Sequence, residues 1–356
     1  SFVTDGQAAL ELLSRAHYDV LVSDLRMPGM DGVALLERVC ELHPAVVRIV
    51  LSGQADEGSG LRIARVAHQF LAKPCHAPTL RRVVEKTGNL LQVLGDPKLR
   101  AMIGGVNRLP TSVRIFQELC KLLESDDASI DSVVGLVRQD PAMATKLLQF
   151  VNSSFFGLAR EITDLKLAVV RLGMKTVRSL VLAIGVFDAG AKVVLPGGLS
   201  VEAFQRRAFA TASIAGGLVA EAKDADLAFM AGLICDVGEL VLARTEPERL
   251  AQVWADADAR GLPRSEVERE TWGASHAEVG ACLLGLWGLP FRVVEAVAHH
   301  HTPKQAGPEG GGLSTVVWIA ACVASDLAPD PISVAASGAE DLLERARQVA
   351  AARGIS

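Results

Sequence analysis

The chain has 356 residues, half of them hydrophobic and 22% charged, with a mean hydropathy of +0.29, enough for two or three domains with cores of their own. A formal charge of −5 gives no global attraction to nucleic acid, and an aromatic content of 4% with one tyrosine leaves no stacking platform for single strands. No apolar stretch reaches the ~18 uninterrupted residues of a membrane span, and no basic start running into an apolar segment marks a signal peptide. A cytoplasmic protein with no membrane and no nucleic-acid partner is therefore expected. Cys40, Cys75, Cys120, Cys235, Cys282 and Cys322 are scattered without CxxC spacing, which predicts incidental thiols in a reducing compartment.

In chain order, residues 1–4 read as the end of a strand and 6–16 as a helix with Ala8, Leu12 and Leu13 inward. A strand at 19–23 and a helix at 32–42 follow, the latter with Val33, Leu36, Val39 and Cys40 at helical spacing. Residues 46–51 form a β-branched strand stopped by Ser52-Gly53. A helix at 56–67, a short strand at 69–72 and a helix at 78–93 complete an alternation that predicts a parallel, doubly wound sheet. After Gly95-Asp96-Pro97 the pattern becomes helical only. Asp140-Pro141 supplies an N-cap and a first-turn proline ahead of the stripe Met143, Leu147, Leu148 and Val151. Thr163 reads as the next cap, with Gly173 closing that helix. Residues 174–187 read as a buried helix, 188–200 as a connection and 304–312 as a Gly-rich loop. The tail from 313 to 356 reads as further helices without a recognisable site.

The stretch Val20-Leu21-Val22-Ser23-Asp24-Leu25-Arg26-Met27-Pro28-Gly29-Met30-Asp31-Gly32 ends an apolar strand on a carboxylate and then turns. In a parallel sheet that places Asp24 at the carboxyl edge, where such folds keep their sites. Ser52 and Lys73 end two later strands of the same sheet, so a hydroxyl and an ammonium can converge on that carboxylate. These residues resemble the receiver domain of bacterial response regulators. The resemblance implies a flavodoxin-like fold with Asp24 as phosphoacceptor, Ser52 and Lys73 contacting the phosphoryl group, and Phe70 as the aromatic coupled to Ser52. It also implies Mg2+ held by Asp24 and the backbone carbonyl of Arg26, and a lysine-proline peptide at Lys73-Pro74 that is usually cis. The family's first strand and helix have no counterpart ahead of residues 1–4, and with them goes the acidic pair that holds most of the metal. A longer natural chain is expected on that ground, with weak or absent Mg2+ binding if Ser1 is the true start.

Residues 99–301 resemble the HDOD domain, an all-helical output module. The likeness rests on Gln139-Asp140-Pro141, Val151-Asn152-Ser153-Ser154-Phe155-Phe156-Gly157, Ala168-Val169-Val170-Arg171-Leu172-Gly173, Ala231-Gly232-Leu233-Ile234-Cys235-Asp236-Val237-Gly238, His276-Ala277-Glu278-Val279-Gly280 and Trp287-Gly288-Leu289-Pro290. The related HD phosphohydrolases cluster His and Asp to hold metals that activate water. Their first histidine corresponds to Arg207 and the histidine of their His-Asp pair to Cys235, leaving Asp236, His276 and the run His299, His300, His301. The expectation is a degenerate site of Arg207, Cys235, Asp236, His276, His300 and His301, with Arg207 paired to Asp236 or a nearby carboxylate, no metal and no catalysis. The Asn152-to-Phe156 run reads as core packing at a helix end.

The organisation expected is a receiver over 1–95, an HDOD domain over 96–302 and a helical extension over 303–356. The function implied is a phosphorelay response regulator: a sensor histidine kinase phosphorylates Asp24, and the HDOD part acts on a protein partner, with homodimerisation one way to transmit the change. The alternative is a receiver-gated, metal-dependent phosphohydrolase, against which Arg207 and Cys235 both count.

Overall fold

Short apolar runs alternate with amphipathic stretches along the first hundred residues, and the backbone follows that alternation. The computed structural model describes residues 1–52, 66–93, 96–106, 109–110, 113–125, 128–152, 161–178, 180–181, 200–306, 311–325, 334 and 339–355. The expected helix at 56–67 and the buried helix at 174–187 therefore fall mostly or partly outside them. So do the 188–200 connection but for Ser200, the run from Ser153 to Phe156, and the middle of the 304–312 loop.

The first compact unit comprises Ser1–Arg108, Gln149–Glu161 and Cys282–Leu289. It runs α1 (Gly6–Arg15), β1 (Val20–Asp24), α2 (Gly32–Leu42), β2 (Val47–Ser52), β3 (Gln69–Ala72), α3 (Ala77–Val93) and α4 (Pro97–Gly105). Three helices begin where an aspartate accepts an otherwise orphaned backbone N–H: Asp5 from Ala8, Asp31 from Ala34 and Asp96 from Lys98. The strands form a parallel sheet in the order β1-β2-β3, with Asp24 opposite Leu51 and Ser52 opposite Ala72. Helix α2 feeds two apolar clusters, giving Val33 and Leu36 to one with Val50 and Phe70, and Leu35 and Val39 to the other with Ala9 and Leu13.

Residues 1–4 form no strand, contrary to expectation. A strand exists through its ladder, and among the described residues β1 pairs with β2 on one edge and residues 1–4 join neither strand. Arg48 on β2, read as part of a β-branched run, is fully buried. It donates to the carbonyls of Val66 (2.6 Å), Val46 (2.9 Å) and Gly104 (3.2 Å). The chain termini of β3 also reach the other segments of this unit. Gln149 donates to the carbonyl of His68 (3.0 Å), Gln69 donates to that of Gly285 (3.4 Å), and Phe70 meets Phe150 edge to face.

The second unit comprises Leu109–Leu148, Ile162–Ala281 and Pro290–Ser356, and its described elements are helical. They are α5 (Val113–Glu124), α6 (Ile130–Val137), α7 (Pro141–Val151), α8 (Leu165–Leu172), α9 (Val201–Gly217), α10 (Ala222–Ile234) and α11 (Val237–Thr245). Then come α12 (Pro247–Arg260), α13 (Arg264–Trp272), α14 (His276–Leu286), α15 (Phe291–Ala298), α16 (Gly311–Ala324) and α17 (Glu340–Ala352). Helices α7 and α14 end in segments of the first unit. Asp140 caps α7 as expected, accepting from Ala142 and Met143. The cap of α8 is Asp164, not Thr163, because its shorter-range carboxylate accepts from Lys166 at 2.7 Å. The tail is tied to α9: Arg353 donates to the carbonyl of Ser213 and Arg345 to that of Leu218, capping carbonyls the helix end leaves free. No helix among the described residues is long and apolar enough to cross a membrane.

Candidate functional site

The carboxyl edge of the sheet holds the first constellation. Gly32 follows Asp31 because nothing larger fits: a Cβ there would lie 2.0 Å from the Asp24 carbonyl oxygen. The turn thus folds back on the end of β1 and holds Asp24 at the edge. Lys73, directly after β3, donates to Asp24 Oδ2, and the Arg26 backbone N–H reaches Oδ1 at 3.3 Å. Partial burial alone would raise the Asp24 carboxyl. The Lys73 hydrogen bond and charge, with the Arg26 N–H, outweigh it and hold the group below its ordinary value. The Lys73–Pro74 peptide is cis. Ser52 closes β2 beside Ala72, while its hydroxyl lies outside the described side chains. Phe70 is buried on β3 opposite Val50.

A divalent cation at this edge needs several oxygen ligands. Asp24 offers one carboxylate, and its Oδ2 already faces an ammonium. The described residues around it do not fit a resident Mg2+ by themselves.

The second constellation lies in the helical unit, at the joint of α10 and α11, the starts of α14 and the end of α15. Asp236 sits between the two helices, with Arg207 of α9 on one side: Nε is 3.4 Å from Oδ2, and Nη2 donates to Glu239 Oε2. Arg207 also lies over the Phe204 ring, 5.5 Å from its centroid. Burial works against the Arg207 charge, yet Glu239 and Asp236 push its pKa further up. Burial raises the Glu239 carboxyl and would raise Asp236, but Arg207 and His300 hold Asp236 well below the usual carboxylate range.

On its other side Asp236 Oδ1 faces imidazoles, 3.3 Å from His300 Nε2 and 3.7 Å from His276 Nε2. His276 Nε2 lies 2.9 Å from His301 Nε2. His276 Nδ1 meets Glu268 Oε2 at 2.6 Å, and although burial favours a neutral ring, Glu268 raises it to about 9. Burial, with the neighbouring His300 and His276, holds His301 well below its ordinary value.

Of the residues expected in a degenerate site, Arg207, Asp236, His276, His300 and His301 come together. Cys235 stands apart from the ligand group: its thiol donates into its own helix at the Gly232 carbonyl, and burial raises its pKa well above normal. His299 also stays out, beside Thr302. Glu239 and Glu268 are the participants sequence reading missed. A glutamate inside a helix reads as a solvated face, and only tertiary placement buries these two.

Family models bear on both constellations. A response regulator receiver domain model matches residues 1–85 and an HDOD domain model matches 109–303. An uncharacterized protein of Treponema pallidum is 24% identical over 88% of this chain, which spans 64% of that relative's length. The transcriptional regulator NtrC of Escherichia coli is 33% identical over 33% of the chain and 26% of its own length. Among solved structures, the MmoQ response regulator from Methylococcus capsulatus aligns with a TM-score of 0.53 at 24% identity, covering 67% of this chain and 98% of that one. A virulence factor from Campylobacter jejuni does so at 0.53 and 20%, covering 76% and 92%. At these identities the structural likeness speaks for the fold. Because the HDOD match spans more than half of the chain and a receiver match precedes it, this chain belongs to the HDOD family, as a receiver domain followed by an HDOD domain.

Proposed function

We propose that this is a cytoplasmic response regulator in which a histidine kinase phosphorylates Asp24 and thereby sets the state of a non-hydrolytic HDOD output acting on a protein partner. The observation that carries the reading is the Asp24 carboxylate at the carboxyl edge of a parallel sheet, held by Lys73. Phosphorylation adds charge and acceptor oxygens at Asp24. Lys73 is the cation placed to follow the phosphoryl oxygens, and Ser52 ends the strand between them. Movement at the end of β3 would be felt at Gly285, Phe150 and Gln149, which His68, Gln69 and Phe70 hold within the same unit. The shift is one of populations, biased by contacts that only the phosphorylated state makes.

The convergence of Asp236 with three histidines favours a second reading, a metal-dependent phosphohydrolase. Against it stands Arg207, a fixed cation on Asp236 and Glu239 where a second metal would need ligands. The test is acyl-phosphate labelling of the protein and its Asp24→Asn variant, together with a phosphodiesterase assay on a generic phosphodiester. One label per chain, lost in Asp24→Asn, and no turnover are expected. Labelling that persists in the variant, or none in the parent, overturns the phosphoacceptor; metal-dependent turnover overturns the non-hydrolytic output.

A further inference from the structure

Side chains from three places in the sequence aim one ligand atom each at a common point: Asp236, His276 and the adjacent His300 and His301, all within 4.8 Å of one another. The proton positions make that point unusual. His300 Nδ1 lies 2.7 Å from the Val297 carbonyl, an acceptor only, so Nδ1 carries a hydrogen and Nε2 is the nitrogen left to face the cluster. That Nε2 is fully buried, lies 3.3 Å from Asp236 Oδ1 and is not well aligned for a hydrogen bond. His276 repeats the pattern. Its Nδ1 faces the Glu268 carboxylate, so its Nε2 turns inward, toward His301 and Asp236, as a donor while the ring is charged and as a ligand once that proton is displaced. A carboxylate oxygen and three imidazole nitrogens turned on one buried point need positive charge among them, which protons or a single metal ion can supply.

We infer that this group is a mononuclear site for one zinc-class divalent transition-metal ion, held by Asp236 Oδ1 and the Nε2 atoms of His276, His300 and His301. Metal–nitrogen bonds of about 2.0–2.1 Å put tetrahedral ligands ~3.3 Å apart; three of the six separations here, 2.9, 3.3 and 3.7 Å, lie near that value and all six are within 4.8 Å. Imidazole-rich donors select zinc-like ions over Mg2+. Glu268 orients His276 as an outer partner.

Charge points the same way. Asp236, Glu239 and Glu268 bring three buried or nearly buried carboxylates to this neighbourhood, and Arg207 pairs with the first two. That field favours a cation at the point the four ligands share. Arg207 claims Oδ2 and leaves Oδ1, so Asp236 cannot bridge to a second metal. Four protein ligands close the tetrahedron, which is the pattern of a structural ion without an open catalytic position. The earlier expectation of a metal-free helical domain followed from Arg207 and Cys235. Neither residue stands where these four ligands converge.

The test uses the whole chain, stripped with chelator and titrated with Zn2+ and separately with Co2+. One ion per chain, a tetrahedral Co2+ visible spectrum with nitrogen and oxygen ligation, and a Tm raised by ~5 °C in excess Zn2+ are expected. Glu268→Gln, which keeps shape, should weaken Zn2+ binding about 10- to 100-fold, and His300→Gln should abolish the Co2+ spectrum. No binding by the parent overturns the site. Undiminished binding in His300→Gln, or a Co2+ spectrum with thiolate bands, shows that free cysteines took the metal and overturns it equally. Because the readout needs no phosphorylation, its failure leaves the Asp24 reading standing.

Discussion

Replacing Gly238 with alanine tests whether the helical site is assembled as described. Gly238 lies in the first turn of α11, where a Cβ would sit 1.9 Å from the His276 carbonyl oxygen, 2.7 Å from its carbonyl carbon and 2.8 Å from the Gly280 nitrogen. Ordinary contact begins at 3.4 Å, so the helices must part by about 1.5 Å. All three atoms belong to backbone, and no side-chain rotation can relieve the overlap. Overpacking of a well-filled core costs ~1–3 kcal/mol, and a backbone clash belongs at the upper end. The alanine's better helix propensity returns at most about 1 kcal/mol. A net loss of ~2–3 kcal/mol corresponds to a Tm lowered by roughly 5–10 °C for a unit of this size. The control is Gly135→Ala in α6, where an added Cβ meets nothing within 4 Å and a small gain is expected. Urea and thermal unfolding of both variants read the difference. If Gly238→Ala unfolds within ~0.5 kcal/mol of the parent, α11 and α14 do not approach as closely as the structure has them.

Arg48→Met strips the donors from the Val46, Val66 and Gly104 carbonyls inside a buried site. The Gly104 carbonyl keeps His68 Nε2 at 3.0 Å, and each of the other two orphaned acceptors costs ~1–3 kcal/mol, so a loss of at least ~2 kcal/mol is expected from urea unfolding, and a loss under ~0.5 kcal/mol would contradict the network. Asp226 has a carboxyl raised by burial and by Asp164, against the pull of Arg138. A raised acid is a cost to the fold when ionised, and the cost disappears as pH falls through its folded value. Asp226→Asn should therefore stabilise the protein at pH 7, by less than ~1 kcal/mol because the pair with Arg138 is half exposed. The two Tm values should converge below about pH 4; a variant less stable at neutral pH would show that the Arg138 pair outweighs burial.

The sheet half was legible because period-2 strands, capping aspartates and a Pro/Gly turn are local signals, and β1, α2 and β3 stand within a residue of their expected bounds. What failed there was residues 1–4, whose strand character depends on a neighbour rather than on composition. In the helical half, Asp236, His276, His300 and His301 were recognisable as residue types, but not that they share a point. That convergence is made by α10, α11, α14 and α15 meeting, which no spacing along the chain encodes. Glu268 was invisible for the same reason: it serves His276 from another helix. Cys235 and His299 looked equivalent to their neighbours in sequence, yet each follows the end of a helix and turns to a local partner, the Gly232 carbonyl and Thr302.

Both units set a carboxylate beside a basic side chain, and the surroundings give the two pairs opposite behaviour. Lys73 and Asp24 are 40% and 38% exposed, so solvent competes for both and the pair is worth ~1 kcal/mol or less. An ammonium on a flexible stem can leave that carboxylate for a new phosphoryl group at little cost. Arg207 is 18% exposed, touches Asp236 and Glu239 together and rests on Phe204. Removing it would strand two buried carboxylates at ~3–5 kcal/mol. The first pair is built to exchange partners and the second to keep them. A phosphoryl group at Asp24, as proposed, would therefore draw Lys73 away at little cost while Arg207 keeps both of its carboxylates.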